Sequence, residues 1–142
     1  MGSNDVVGPL TSKVLGYEET MRNLVPSVRV ASDWAPLAEF VAVSGFERVG
    51  TFLEVQDWQQ YTEMLTRWAA SLDSFETTVR RITELDHLVY YEVQERHRRG
   101  DSVQVVNSLT VFEFDDHRRI RHLDVCLQQP RCEAPSGKSG RW

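Results

Sequence analysis

HLVYYEVQERHRRGDSVQVVNSLTVFEFDDHRRIRHLDVCLQ, residues 87–128, is the stretch that decides the fold. Three long runs rich in Val, Tyr, Phe and Leu are separated by two polar turn signals. These are Arg98-Arg99-Gly100-Asp101 and Asp115-Asp116-His117-Arg118. β-branched and aromatic runs of this length, broken by short polar turns, predict an antiparallel meander. Alternation then separates the two faces of each strand. In the first run Val89, Tyr91, Val93, Glu95 and His97 share a face, opposite Leu88, Tyr90, Glu92, Gln94 and Arg96. In the last, Ile120, His122, Asp124 and Cys126 share a face, opposite Arg121, Leu123, Val125 and Leu127.

Working upstream, residues 75–84 (FETTVRRITE) read as a partly exposed strand. Asp57-Trp58-Gln59-Gln60 is a capping-box pattern that opens a helix. Trp58, Tyr61, Leu65, Trp68 and Leu72 then form an apolar stripe, which ends over Ser71–Ser74. Phe46 to Val55 predicts two short strands about a turn at Gly50. Glu47 and Val49 fall on one face there, and Phe46 and Arg48 on the other. Ser32 or Asp33 caps a further helix, with Pro36 in its first turn and its end near Ser44-Gly45. Tyr17 to Val30 has helical spacing that Pro26 interrupts. Residues 1–14 read as a flexible arm, 15–129 as a single domain, and 130–142 as a disordered Pro/Gly/Ser-rich tail. Helices first and a long sheet afterwards make an α+β domain, with helices covering one face.

Composition narrows the function classes. The chain has 142 residues, 41% of them hydrophobic and 26% charged, which is ordinary for a globular protein. A net charge of −5 argues against nucleic-acid binding, which needs a basic surface. No apolar run approaches the roughly 18 residues of a membrane span. Residues 1–13 lack the basic-then-apolar order of a signal peptide. Cys126 and Cys132 give neither metal spacing nor a disulfide framework. A cytoplasmic, soluble protein is expected, with Cys126 a buried small hydrophobe. If the helices cover the opposite face of the sheet, the row Leu123, Val125 and Leu127 is exposed and invites a homodimer. An ordinary core face is the competing reading of that row.

Four segments together carry a family resemblance: SDWAPLAEFVAVSGFERVG (32–50), DWQQYTEMLTRW (57–68), LVYYEVQE (88–95) and VFEFDDHRRIRHLDVCLQ (111–128). In their order and pattern they resemble the nuclear transport factor 2-like superfamily. It includes SnoaL-like polyketide cyclases, ketosteroid isomerases and limonene-epoxide-hydrolase-like enzymes. The resemblance implies a cone: a curved antiparallel sheet wrapped on N-terminal helices (a cystatin-like α+β barrel), with a deep apolar pocket and sheet-to-sheet dimers. It places Asp124 at the position of an epoxide-hydrolase carboxylate and Glu95 at that of its partner. The arginine expected between them falls on Val93. The water-positioning Tyr and Asn fall on Glu47 and Val49, and the isomerase aspartate also falls on Val49. The hydrolase triad is therefore incomplete.

Three carboxylates, Glu47, Glu95 and Asp124, are thus expected to face an apolar cone lined by Tyr91, Val93, Val49, Trp58 and Tyr61. Carboxylates held close in a dry site cannot all ionise, so one becomes an acid while another acts as a base. Tyr91, Tyr61 or His122 would donate to a carbonyl or developing oxyanion. The function expected is a cofactor-free enzyme performing cyclisation, epoxide opening or isomerisation on a small hydrophobic molecule. The alternative is a non-catalytic ligand-binding or dimerising accessory protein of the same fold. His87, His97, His117 and His122 lack metal-ligand spacing, and no metal is expected.

Overall fold

The computed structural model describes residues 8–128, so residues 1–7 of the expected arm and the whole of the expected tail lie outside it. The first helix, α1, runs Pro9–Leu24 and so begins inside the stretch expected to be an arm. Its start is fixed from a distance. The Glu84 carboxylate accepts from the Thr11 amide (2.8 Å), the Thr11 hydroxyl (2.9 Å) and the Leu10 amide (3.4 Å). An acid at a helix N-terminus satisfies amides that have no partner within the helix. Leu10, Val14, Tyr17 and Met21 form its buried stripe, and α1 ends two residues before Pro26.

A 3-10 turn, Ala31–Trp34, leads into the single-turn helix α2, Ala35–Ala38. The helix expected to reach Ser44-Gly45 stops early because residues 40–42 pair with the sheet instead. Ile120 N donates to Phe40 O (2.8 Å) and Ala42 N to Ile120 O (2.9 Å). After the short strands β1 (Glu47–Val49) and β2 (Val55–Gln56) comes α3, Trp58–Ala70. Its capping box forms as the sequence predicts. Gln60 N donates to Asp57 Oδ1 (2.8 Å) and Asp57 N to Gln60 Oε1 (2.9 Å).

Four long strands complete the chain: β3 (Ser74–Leu85), β4 (Leu88–Arg99), β5 (Ser102–Phe114) and β6 (Ile120–Gln128). The sheet order is β2-β1-β6-β5-β4-β3. The meander is as predicted, turning at Gly100 (φ 57°) and at Arg118 (φ 61°). The sheet as a whole is mixed, because β1 lies parallel to β6. It curves around the helices as an open α+β cone. No helix among the described residues is long and apolar enough to cross a membrane.

One irregularity decides which side chains point inward. Phe114 pairs with Ile120 and Glu113 with His122, which leaves Arg121 as an extra residue. Such a bulge puts the following residues out of step with those before it. Ile120 and Leu123 are therefore both buried, at 0% and 2% exposure. Val125 and Leu127 follow Leu123 inward to line the interior cavity. The row expected to be an exposed dimer surface is thus a core face. Tyr90, Val105 and Leu109 stand exposed on the outer face instead, as does Cys126.

Candidate functional site

Between α1, α3 and the concave face of the sheet lies a cavity of about 450 Å³. Its walls are largely apolar: Met21, Leu65, Trp68, Val106, Phe112 and Leu123 all contribute. Strand β4 supplies its chemistry by simple alternation. Val89, Tyr91, Val93, Glu95 and His97 point inward in turn, apolar first and polar toward the open end. Glu95 Oε1 lies 2.8 Å from His97 Nε2, and Ser108 Oγ donates to Glu95 Oε2 at 3.4 Å. The imidazole packs edge-on against Trp68 and Phe75, with centroids 5.6 and 6.1 Å apart. An aromatic sleeve of this kind holds the ring in place and keeps bulk water from it.

Helix α1 contributes two more groups. The Tyr17 and Tyr61 hydroxyls are hydrogen-bonded at 3.0 Å, and both rings are buried. Glu18 accepts from Arg22 Nη1 (2.7 Å) and Thr77 Oγ1 (3.2 Å). Burial pushes its carboxyl up to about 7, opposed by the Arg22 charge and reinforced by that of Glu95. Tyr91 stands near both acids, and its hydroxyl is pushed up chiefly by burial. Among the described residues, Tyr91 Oη is the one buried side-chain oxygen or nitrogen with no hydrogen-bond partner. An unpaired buried hydroxyl costs about 1–3 kcal/mol, so its persistence marks a place for a partner.

On the opposite wall Arg48 enters from β1, 7% exposed, with its guanidinium 5.3 Å from the centre of the Tyr61 ring. Its Nη1 donates to Gln56 Oε1 (2.9 Å) and lies 3.6 Å from the Glu54 carboxylate.

Several expected site residues lie elsewhere. Glu47, His122 and Asp124 form a cluster on the outer face. His122 Nδ1 is 3.1 Å from Glu47 Oε1, and its Nε2 is 3.0 Å from Asp124 Oδ1. Both carboxylates are exposed. The bulge at Arg121 turns Asp124 outward, and Glu47 is out because its neighbour Phe46 is anchored in the core at 3% exposure. Val49, in register with Asp124, shares that outer side. Val93 is sealed in the core, and Trp58 packs on Phe46 and Tyr61 (5.4 and 5.8 Å) without lining the cavity. The cavity brings together Tyr61, Tyr91 and Glu95 of the expected set. It adds Tyr17, Glu18, Arg48 and His97. Two of these carry a signal in the sequence: Arg48 shares the parity of Phe46, and Glu18 sits inside the apolar stripe of α1, between Val14 and Met21. Among the described residues no group of three or more His, Cys, Asp or Glu is placed to hold a metal ion.

No family model matches the sequence, and no curated protein matches it. Solved structures do. An NTF2-like protein from Anabaena variabilis superposes with a TM-score of 0.70 over 92% of this chain and 97% of its own, at 10% identity. The chain has the nuclear transport factor 2-like fold. A Shewanella denitrificans protein assigned as a SnoaL-like polyketide cyclase shares this fold with a TM-score of 0.68 and 13% identity, over 85% of this chain and 92% of its own. So does an LEH-like epoxide hydrolase from M. tuberculosis, with a TM-score of 0.61 and 17% identity, over 84% and 86%. Within the nuclear transport factor 2-like cone, the carboxylates of this chain are thus divided between the cavity (Glu18, Glu95) and the outer face (Glu47, Asp124).

Proposed function

We propose that the cavity binds a small, largely apolar molecule bearing a carbonyl oxygen and transfers a proton on it. The observation that carries this is the buried, unpartnered Tyr91 hydroxyl on a residue that lines an apolar cavity together with Glu18 and Glu95. In the proposed step the Tyr91 hydroxyl donates a hydrogen bond to the ligand's carbonyl oxygen. Glu95, held by His97, takes a proton from the adjacent carbon, and the electron pair of that C–H bond moves toward the oxygen. The enolate so formed can be reprotonated at carbon, or can attack a second carbonyl of the same molecule and close a ring. Glu18, raised to about 7, stands at the end of the cavity near Tyr91 as a proton source. Support comes from the fold neighbours, which include proteins assigned as polyketide cyclases and an epoxide hydrolase.

The test is exchange of the α-protons of 2-tetralone in D2O, followed by NMR. The wild-type protein should accelerate exchange above the buffer rate. Glu95→Gln should lower that acceleration by about 10²-fold or more, and Tyr91→Phe by a smaller factor. Saturable binding of the ketone without any accelerated exchange would overturn the proposal and leave a ligand-binding protein of the same fold.

A further inference from the structure

We infer that the cavity selects ligands carrying a carboxylate, or an equivalent anion, which Arg48 binds inside and Arg99 attracts at the rim. This deepens the proposed function by naming the ligand class, and it rests on the same cavity being the binding site. The charges facing the cavity come from several elements, and most are matched locally. On α1, Glu18 is paired with Arg22 at 2.7 Å. On β4, Glu95 has His97 as a hydrogen-bond partner at 2.8 Å. Arg48 on β1 differs. Its side chain is 9% exposed, yet its nearest carboxylate among the described residues, Glu54, is 3.6 Å away and 43% exposed. Its other side-chain partners are neutral, the Gln56 amide oxygen and the Tyr61 ring. A guanidinium has five N–H donors in a planar fork suited to two carboxylate oxygens.

Burying a cation with so loose a counter-charge is costly, and a ligand carboxylate would remove that cost. Arg99 adds a second positive charge at the cavity's edge. It donates to Gln104 Oε1 (3.3 Å) and Ser71 Oγ (3.4 Å), and no carboxylate lies within 4 Å of it among the described residues. Glu54 reaches Arg48 from the β1–β2 hairpin, its carboxylate lying against Gly50 where any side chain would collide with it. It is the group a ligand carboxylate would displace.

An isosteric pair of probes tests this directly: 2-naphthylacetate and 2-naphthylacetamide, titrated by calorimetry at pH 6 and low salt. The carboxylate should bind the wild-type protein about tenfold or more tighter than the amide, as charge-assisted hydrogen bonding requires. Arg48→Gln should bring the carboxylate down to the affinity of the amide. Glu54→Gln, at a half-exposed position, should strengthen carboxylate binding about threefold by removing a competitor. Equal affinities, a tighter amide, no carboxylate binding at millimolar concentration, or unchanged carboxylate affinity in Glu54→Gln would each overturn the inference. The neutral ketone exchange above is independent of this ratio. Loss of the carboxylate preference leaves proton transfer standing, and absence of exchange leaves the preference standing.

Discussion

Two strands of this protein carry the same pairing of a carboxylate with a histidine two residues away. On β4, Glu95 and His97 meet at 2.8 Å, with side chains 19% and 8% exposed. On β6, His122 and Asp124 meet at 3.0 Å, with side chains 23% and 54% exposed. The chemistry of the two pairs is alike, and the difference lies in which side of the sheet they occupy. The β4 pair sits in an aromatic sleeve beside a second carboxyl raised to about 7. The β6 pair faces solvent, with Glu47 as a third partner. Screening by water makes an exposed pair worth little, whereas a dry one holds its geometry tightly. The environment separates the two pairs, and the motif alone does not.

The largest effect should separate the two acids by activity. Glu95→Gln is expected to cost 2-tetralone exchange roughly 10²–10⁴-fold, while Asp124→Asn stays within about twofold. A comparable loss in Asp124→Asn would erase the distinction between the faces.

Next comes pH. The Glu18 carboxyl, at about 7 in the folded protein against an ordinary 4.5, binds more protons folded than unfolded between those values. Its stabilising contribution is fully present below 4.5 and is lost as pH rises through 7. The shift corresponds to a change on the order of 3 kcal/mol. Urea denaturation at pH 4.5 and pH 8 should show this slope in the wild-type protein and not in Glu18→Gln. Identical slopes would place Glu18 in water.

The histidines should differ by less. His97→Gln leaves Glu95 without its imidazole partner inside the cavity, with only the longer Ser108 contact, and should cost about 2 kcal/mol. His122→Gln should fall within about 0.5 kcal/mol of wild type. Paired chemical denaturation curves would measure both, and equal costs would contradict the difference in burial.

Much of this arrangement was legible before the structure. The inward set of β4 follows from alternation because Val89, Tyr91 and Val93 mark the buried side, and Glu95 and His97 inherit it. The capping box and the stripe of α3 are local, and local signals survive folding. On β6 the same logic misplaces Asp124, His122 and the row Leu123, Val125, Leu127. The reason is that a bulge is set by pairing with β5: the apolar row hints at a core face, but a count of parity from Ile120 puts it outside. On β1 the clue was present: Phe46 is too apolar to face water, and Arg48 must follow it inward. The family resemblance pointed instead to the acid next door, Glu47. Glu18 was hidden differently, as one polar residue in an otherwise apolar helical stripe. Its role depends on Thr77, Tyr91 and Glu95, which lie far away along the chain.

The bulge at Arg121 has a consequence for how this cavity can change over evolutionary time. Strand β6 carries two complete linings, one of leucine and valine and one of histidine, aspartate and cysteine. A single backbone irregularity selects between them. A descendant that straightened the strand would trade a greasy wall for an ionisable one without altering any of those side chains. Cys126 can report which lining is on display. In a Cys132→Ser background it should react with a maleimide in the folded protein, as its exposure requires, and a strand of opposite phase would shield it.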